Sequence, residues 1–390
     1  MFTTNFLSDD QAKILAAEHG TPVFVYSKKR FSEQIQTIAS IPAPYGLTVR
    51  YAMKANPHPK VLQIMREGGV RLDVSSEHEV FYAKEAGYSF EEMLLTTQQM
   101  PKRLQELVEQ GVEFNACSLR QLEAYGKLFP GRDVSVRINP GIGSGFSTHV
   151  TVGGRASSFG VWHEYIPKVH ELTKKYRLNV VRMHTHIGSG ADPDVWLEAA
   201  RISLEMIKEF PSATILNLGG GFKAARVEQE HGVDMEKVGR VFEHELRLFA
   251  EQTGRKLKLE VEPGTYITAN CAVLLSTVDD IVDTGEYGYT FIKLDTGMND
   301  FVRPAMYGSQ HPIAVVSRSK QEQDYVVVGH NCESADVFTV QPDDPGALAP
   351  RRLKKAHIGD IVIIGGVGGY CAAMSMHGYN GFPNAKEIFI

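Results

Sequence analysis

Lys54 stands in the run YAMKAN, directly after a stretch of apolar and aromatic residues. A lysine at the end of a strand leading into a barrel mouth is expected to be poorly solvated. Desolvation disfavours the charged amine, and a neutral amine can form a Schiff base with a carbonyl. His184 and His186, in MHTHIGSG, are two residues apart, so on a strand both face the same way. A metal pair is one reading, but no third ligand of suitable type stands nearby. The Gly-Ser-Gly that follows offers backbone N–H groups and a hydroxyl to an anion. In NLGGGF, the glycines Gly219, Gly220 and Gly221 allow a backbone to approach a phosphate closely. Glu262, in EVEPG, places a carboxylate where it could face a bound ring. Each has a plainer reading when taken singly: a solvent-facing lysine, a satisfied core histidine, an ordinary turn, a strand-end charge. Cys332 alone reads as a buried packing cysteine.

The elements that must position these residues alternate. Strand-like apolar runs are expected at 47–54, 72–75, 93–97, 113–117, 134–139, 180–186, 214–218 and 257–262. Helical patterns, with apolar residues three and four apart, fall at 59–67, 77–86, 165–176, 194–209 and 235–251. Strands alternating with helices predict parallel βαβ units, and eight of them suit a closed (β/α)8 barrel; a doubly wound open sheet is the alternative. In such a barrel, functional residues collect where strands end, and Lys54, His186, Gly219 and Glu262 are all at strand ends. Beyond residue 264 the runs 272–282, 289–294, 325–328 and 361–364 follow one another without long helices, which predicts an antiparallel β domain. The segment PVFVY at 22–26 is also strand-like and could join that sheet.

A chain of 390 residues exceeds one ordinary core, so two domains are expected. A net charge of −5 gives no sign of a nucleic-acid partner. The four cysteines, Cys117, Cys271, Cys332 and Cys371, fit neither a zinc site nor a disulfide framework, which suits a reducing compartment. No signal-peptide core and no apolar run of membrane-spanning length, about 20 residues, is seen. A soluble cytoplasmic protein without a membrane or metal partner is the expectation.

The motifs YAMKAN, RINPG, HTHIGSG, NLGGGF, EPG, DTGMNDFVRPAMYGSQH, CESAD, GGYCAAMS and HGYN, in this order, resemble the pyridoxal-5′-phosphate-dependent decarboxylases of the alanine-racemase-like fold. That group includes the diaminopimelate and ornithine decarboxylases, and the resemblance is strongest to the former. It implies an α/β fold: a pyridoxal-phosphate-binding (β/α)8 TIM barrel over 30–268, with a mainly antiparallel C-terminal β-barrel domain formed by 1–29 and 269–390. It implies that Lys54 carries the cofactor as a Schiff base and that His186 stacks on the pyridine ring. Ser189, Gly219, Gly220, Gly221, Gly264 and Tyr370 would hold the phosphate, and Glu262 would pair with the pyridine nitrogen. Asp73 and Arg137 would lie near the cofactor. Arg303, Tyr307, Glu333 and Tyr370 would contact substrate. Cys332 and Glu333 would come from the other subunit of a homodimer with shared active sites, Cys332 protonating the substrate carbon as a general acid.

The implied reaction is decarboxylation of meso-diaminopimelate to L-lysine. Two positions depart from the pattern. The arginine that often follows EPG, gripping the substrate's distal carboxylate, is Thr265 here, and threonine cannot form a bidentate pair. The usual SKFG is Ser157-Ser158-Phe159-Gly160. Alternatives are decarboxylation of ornithine, lysine, their D-forms or a carboxylated polyamine precursor, an amino-acid racemase, and a non-catalytic binding protein. A carboxylate at the ring nitrogen argues against a racemase, and retention of Lys54, Glu262 and Cys332 against a binding protein.

Overall fold

The computed structural model describes residues 6–142, 153–186 and 188–390, so Ile187 of the HTHIGSG run lies outside the described residues. The chain forms two compact units and passes between them repeatedly. One holds residues 32–223 and 232–266; the other runs up to Phe31 and includes 224–231 and 267–390.

In the first unit, eight parallel strands close on themselves. In chain order they are Leu47–Ala52, Arg71–Val74, Met93–Leu95, Glu113–Ala116, Asp133–Asn139, Asn179–Thr185, Ile215–Asn217 and Lys258–Val261. Each is hydrogen-bonded to the next, and the last returns to the first through Leu259 opposite Leu47. This is the expected barrel. A further two-residue strand, Val161–Trp162, pairs beside Asp133–Asn139; it is too short to show a period in sequence. The helices form where their apolar spacing predicts. In Met235–Thr253 the buried residues Met235, Val238, Phe242, Leu246 and Phe249 make one stripe. The Asp234 side chain accepts from the Lys237 N–H at its start, and Gly254, with φ +71°, ends it in the left-handed region.

The barrel interior is polar in layers. Strand side chains alternate, so residues two apart share a face. Buried Arg50, Arg182 and Glu260 meet half-buried Glu113 in one layer. Arg182 Nε lies 2.7 Å from Glu260 Oε2 and its Nη2 2.8 Å from Glu113 Oε2. Arg50 reaches the same two carboxylates at 3.3 and 2.5 Å. Two cations meet two anions, which a water-poor interior requires. Two residues further along the strands, Asn115, Arg137, His184 and Glu262 begin the layer that forms the candidate site.

The second unit is built on an eight-stranded sheet. Its main path is Ile313–Val316, Ile361–Gly365, Ala272–Asp283, Thr290–Leu294, Glu322–Val328 and Arg351–Lys354. Val23–Tyr26 pairs antiparallel with Ala272–Asp283, placing Val23 opposite Leu275. It also pairs parallel with Lys386–Phe389. Thr290–Leu294 and Glu322–Val328 are parallel too. Neither parallel pair is joined by a tight turn, so no hairpin sets its direction. The core beneath includes Ala12, Val23, Val25, Val273, Leu275, Val316 and Ile363. Among the described residues, no helix is long and apolar enough to cross a membrane.

Candidate active site

The first strand ends at Ala52, two residues earlier than its apolar run suggests. Lys54 sits in a single 3-10 turn, Met53–Ala55. Met53 and Ala55 are fully buried, whereas Lys54 between them is exposed. The expectation of a poorly solvated lysine is therefore corrected: the turn lifts Lys54 clear of the interior. Its charge still acts on the acids below, drawing both the Asp73 and Glu262 carboxyls toward ionisation.

Glu262 is 5% exposed. Burial, and next the charge of Asp73, push its carboxyl up to about 8, against the opposing pull of Asn217, Lys54 and Arg137. Asn217 Nδ2 donates to Glu262 Oε1 at 2.6 Å, while Asn217 Oδ1 accepts from the Gly219 N–H at 2.8 Å. One amide thus ties the acid to the glycine turn. Asp73 is also buried, and burial raises its carboxyl despite Lys54, Thr96 and Arg137. Its Oδ1 has no hydrogen-bond partner.

His184 is fully buried, with Nδ1 2.7 Å from Asn115 Nδ2 and Nε2 3.4 Å from Glu262 Oε2. His186 follows the strand's last residue, Thr185. It is half-buried, with its Nδ1 shielded and unpartnered. Burial and the nearby Arg137 hold both imidazoles neutral. Arg137 is buried with its guanidinium 5.1 Å from the centre of the Phe159 ring, within the run Ser157–Gly160. Among the described residues, no three metal-ligating side chains converge.

The turns after strands six, seven and eight are stitched together. Glu262 N–H donates to Gly219 O at 2.7 Å, and Gly190 N–H to Gly221 O at 2.9 Å. Gly221 has φ +96°, and a Cβ there would lie 1.6 Å from Gly188 O; a Cβ on Gly220 would lie 2.1 Å from Glu262 O. These two glycines are required by the packing of the turns themselves. Half-buried Ser189 and buried Gly264 lie in the adjoining segments.

In the second unit, half-buried Arg303 opens the short helix Arg303–Tyr307. Its Nη2 donates to Ser309 Oγ at 3.2 Å, and the guanidinium stands 5.4 Å from the centre of the Tyr307 ring. Tyr307 Oη lies 3.8 Å from Met374 Sδ. Cys332 and Glu333 are exposed, so Cys332 is no packing cysteine. The Cys332 N–H donates to Asn380 Oδ1 at 2.7 Å, and Glu333 Oε2 accepts from Tyr379 Oη at 3.2 Å. Tyr370 adopts φ +55°, unusual for a residue with a side chain.

The pyridoxal binding domain of the pyridoxal-dependent decarboxylases matches residues 29–269. The chain belongs to this family. It is 33% identical to the diaminopimelate decarboxylase of Streptomyces coelicolor, covering 96% of this chain and 86% of that one. The Escherichia coli K12 diaminopimelate decarboxylase is 32% identical, over 96% and 90% of the two chains. A crystal structure of a diaminopimelate decarboxylase superposes with a TM-score of 0.90, at 31% identity over 99% of this chain and 93% of that one.

The first unit's residues fit pyridoxal phosphate. Two buried carboxylates in one polar layer can take a protonated ring nitrogen, and His186 keeps an uncharged ring nearby. The glycine turns offer backbone without side chains to a phosphate. The sequence reading missed Asn217, although it lies two residues before the first glycine of the run and ends its strand. Gly221→Ala is expected to weaken pyridoxal-phosphate affinity at least about 100-fold or to prevent folding, because it combines a clash with left-handed backbone. A cofactor titration followed by absorbance, with circular dichroism as the folding control, measures this. Folded protein with wild-type affinity would refute the assignment of the turn.

Proposed function

We propose that this chain releases carbon dioxide from meso-diaminopimelate and leaves L-lysine. The observation that carries this reading is the pair of buried carboxyl groups, Asp73 and Glu262, both within reach of the Lys54 charge. Glu262 keeps a ring nitrogen protonated. When bound, pyridoxal phosphate supplies the sink for the electron pair left on the substrate's Cα. Lys54 holds the cofactor through its amine. His186 lies against the ring, and Asp73 and Arg137 set the charge around it. Ser189, Gly219, Gly220, Gly221, Gly264 and Tyr370 hold the phosphate.

Arg303, Tyr307 and Tyr370 position the substrate, with the first two holding its distal carboxylate. Glu333 takes the distal ammonium, and Cys332 returns a proton to Cα. Both belong to the partner subunit of a homodimer. A cytoplasmic setting suits the reaction and the four cysteines, which form no disulfide.

A carbon-dioxide release assay over meso-diaminopimelate, lysine and ornithine tests the substrate. A site built to pair a second carboxylate rejects substrates lacking it, so diaminopimelate is expected to lead by at least about 100-fold in kcat/KM. Faster turnover of lysine or ornithine would overturn the substrate assignment while leaving the family chemistry intact.

A further inference from the structure

Arg226 lies in the segment 224–231, which belongs to the second unit although the chain on either side of it belongs to the first. Its side chain is 6% exposed. Nε donates to Gly366 O at 3.0 Å, and the aliphatic stem lies against Gly366, where a Cβ would come within 3.0 Å of it. The stem is thereby fixed. Its terminal Nη2 is buried and has no hydrogen-bond partner.

Three other groups share this region. Arg303 is close enough to disfavour the charge on Arg226, and its own Nε is unpartnered. His311 is 3% exposed; burial, Arg226 and Arg303 hold it neutral, and its Nδ1 bonds Gly365 O at 2.9 Å. The Cys371 thiol is pushed up to about 11 by burial, so it supplies no negative charge at neutral pH. The nearest acid, Glu230, spends Oε2 on the Arg226 backbone N–H at 2.8 Å. Two arginines therefore stand together, each with an unused buried donor and neither with a carboxylate on its guanidinium among the described residues.

A buried N–H donor left without a partner is costly, and one such donor on each of two neighbouring arginines suits an anion. We propose that Arg226 is a specificity-determining residue, forming with Arg303 a two-arginine clamp for the distal carboxylate of the substrate. This rests on the reading of Arg303 as a distal-carboxylate ligand. It also gives this chain a second arginine for that group, despite Thr265.

The test uses the cofactor-loaded enzyme and two probes without an amine, the dicarboxylate pimelate and the uncharged diol 1,5-pentanediol. Arg226→Gln is expected to raise KM for meso-diaminopimelate about 30- to 100-fold and to change kcat less than about 3-fold, with turnover of lysine unaltered. Arg226→Lys, which keeps the charge and loses the fork, should fall between. Pimelate should raise the Tm of wild-type enzyme, 1,5-pentanediol should not, and Arg226→Gln should abolish the pimelate shift. An unchanged KM and pimelate shift in Arg226→Gln, or equal losses on diaminopimelate and lysine, would overturn the clamp. If neither variant folds, the wild-type probes decide: stabilisation by 1,5-pentanediol equal to that by pimelate overturns it. If wild-type enzyme ignores diaminopimelate, the substrate assignment fails, and the pimelate comparison still decides whether Arg226 binds a carboxylate.

Discussion

Lys54→Ala is expected to lower decarboxylation on the order of 10³-fold or more, and Cys332→Ala about 10²–10⁴-fold, the usual cost of a lost general acid. The sharper result comes from mixing the two inactive proteins. If Lys54 and Cys332 of one active site belong to different subunits, random exchange creates heterodimers with one intact site, and activity should recover to about one quarter of wild type. Proven exchange without recovery would mean that both residues act from the same chain. Borohydride reduction of the loaded wild-type enzyme should fix the cofactor on the peptide containing Lys54. A label on any other lysine would remove the basis of the site.

Glu262→Gln should produce the second large effect, and on stability as well as rate. In the cofactor-free fold the Glu262 carboxyl keeps its proton up to about 8, against an ordinary value of 4.5. Between those values the folded chain holds more protons than the unfolded one. The contribution of Glu262 to stability should therefore fall as pH rises from about 4.5 to 8. The variant has no such proton, so its melting temperature should fall less over the same range. Bound cofactor should flatten the wild-type profile, because a ring cation favours the carboxylate. Decarboxylation by the variant should drop at least about 100-fold, since an amide cannot hold the ring nitrogen protonated. Parallel Tm–pH profiles for cofactor-free wild type and variant would sink this account of Glu262.

Much of the barrel was legible because strands and helices carry different periods. The runs around Met93, Val136, Met183 and Leu259 are apolar and buried, and each became a strand. What was not legible is which face points inward. Arg50, Arg182 and Glu260 alternate with apolar neighbours, a pattern that ordinarily marks a solvent face. In this barrel the polar face turns inward and is neutralised across strands that are far apart in sequence. Glu262 was visible because a motif surrounds it. Asn217 and Arg226 were not, because their significance lies in what they touch: a carboxylate 45 residues away and a carbonyl 140 residues away. The placement of Lys54 was misread because apolar continuity through Met53 hides the turn that ends the strand.

The pairing of Val23 with Leu275 also governs how the chain can be made. The apolar strand Val23–Tyr26 emerges early in synthesis, yet one of its neighbours lies at 272–283 and the other at 386–389. At common elongation rates this leaves VFVY without either partner for some tens of seconds. The segment 224–231 must likewise wait for the strands it joins. The barrel strands can assemble in order as they appear, whereas the sheet of the second unit can close only when residues 23–26 and 386–389 are both present. A chain stalled or truncated before residue 386 would therefore leave one edge of this apolar strand open, and such a product is expected to aggregate or be degraded.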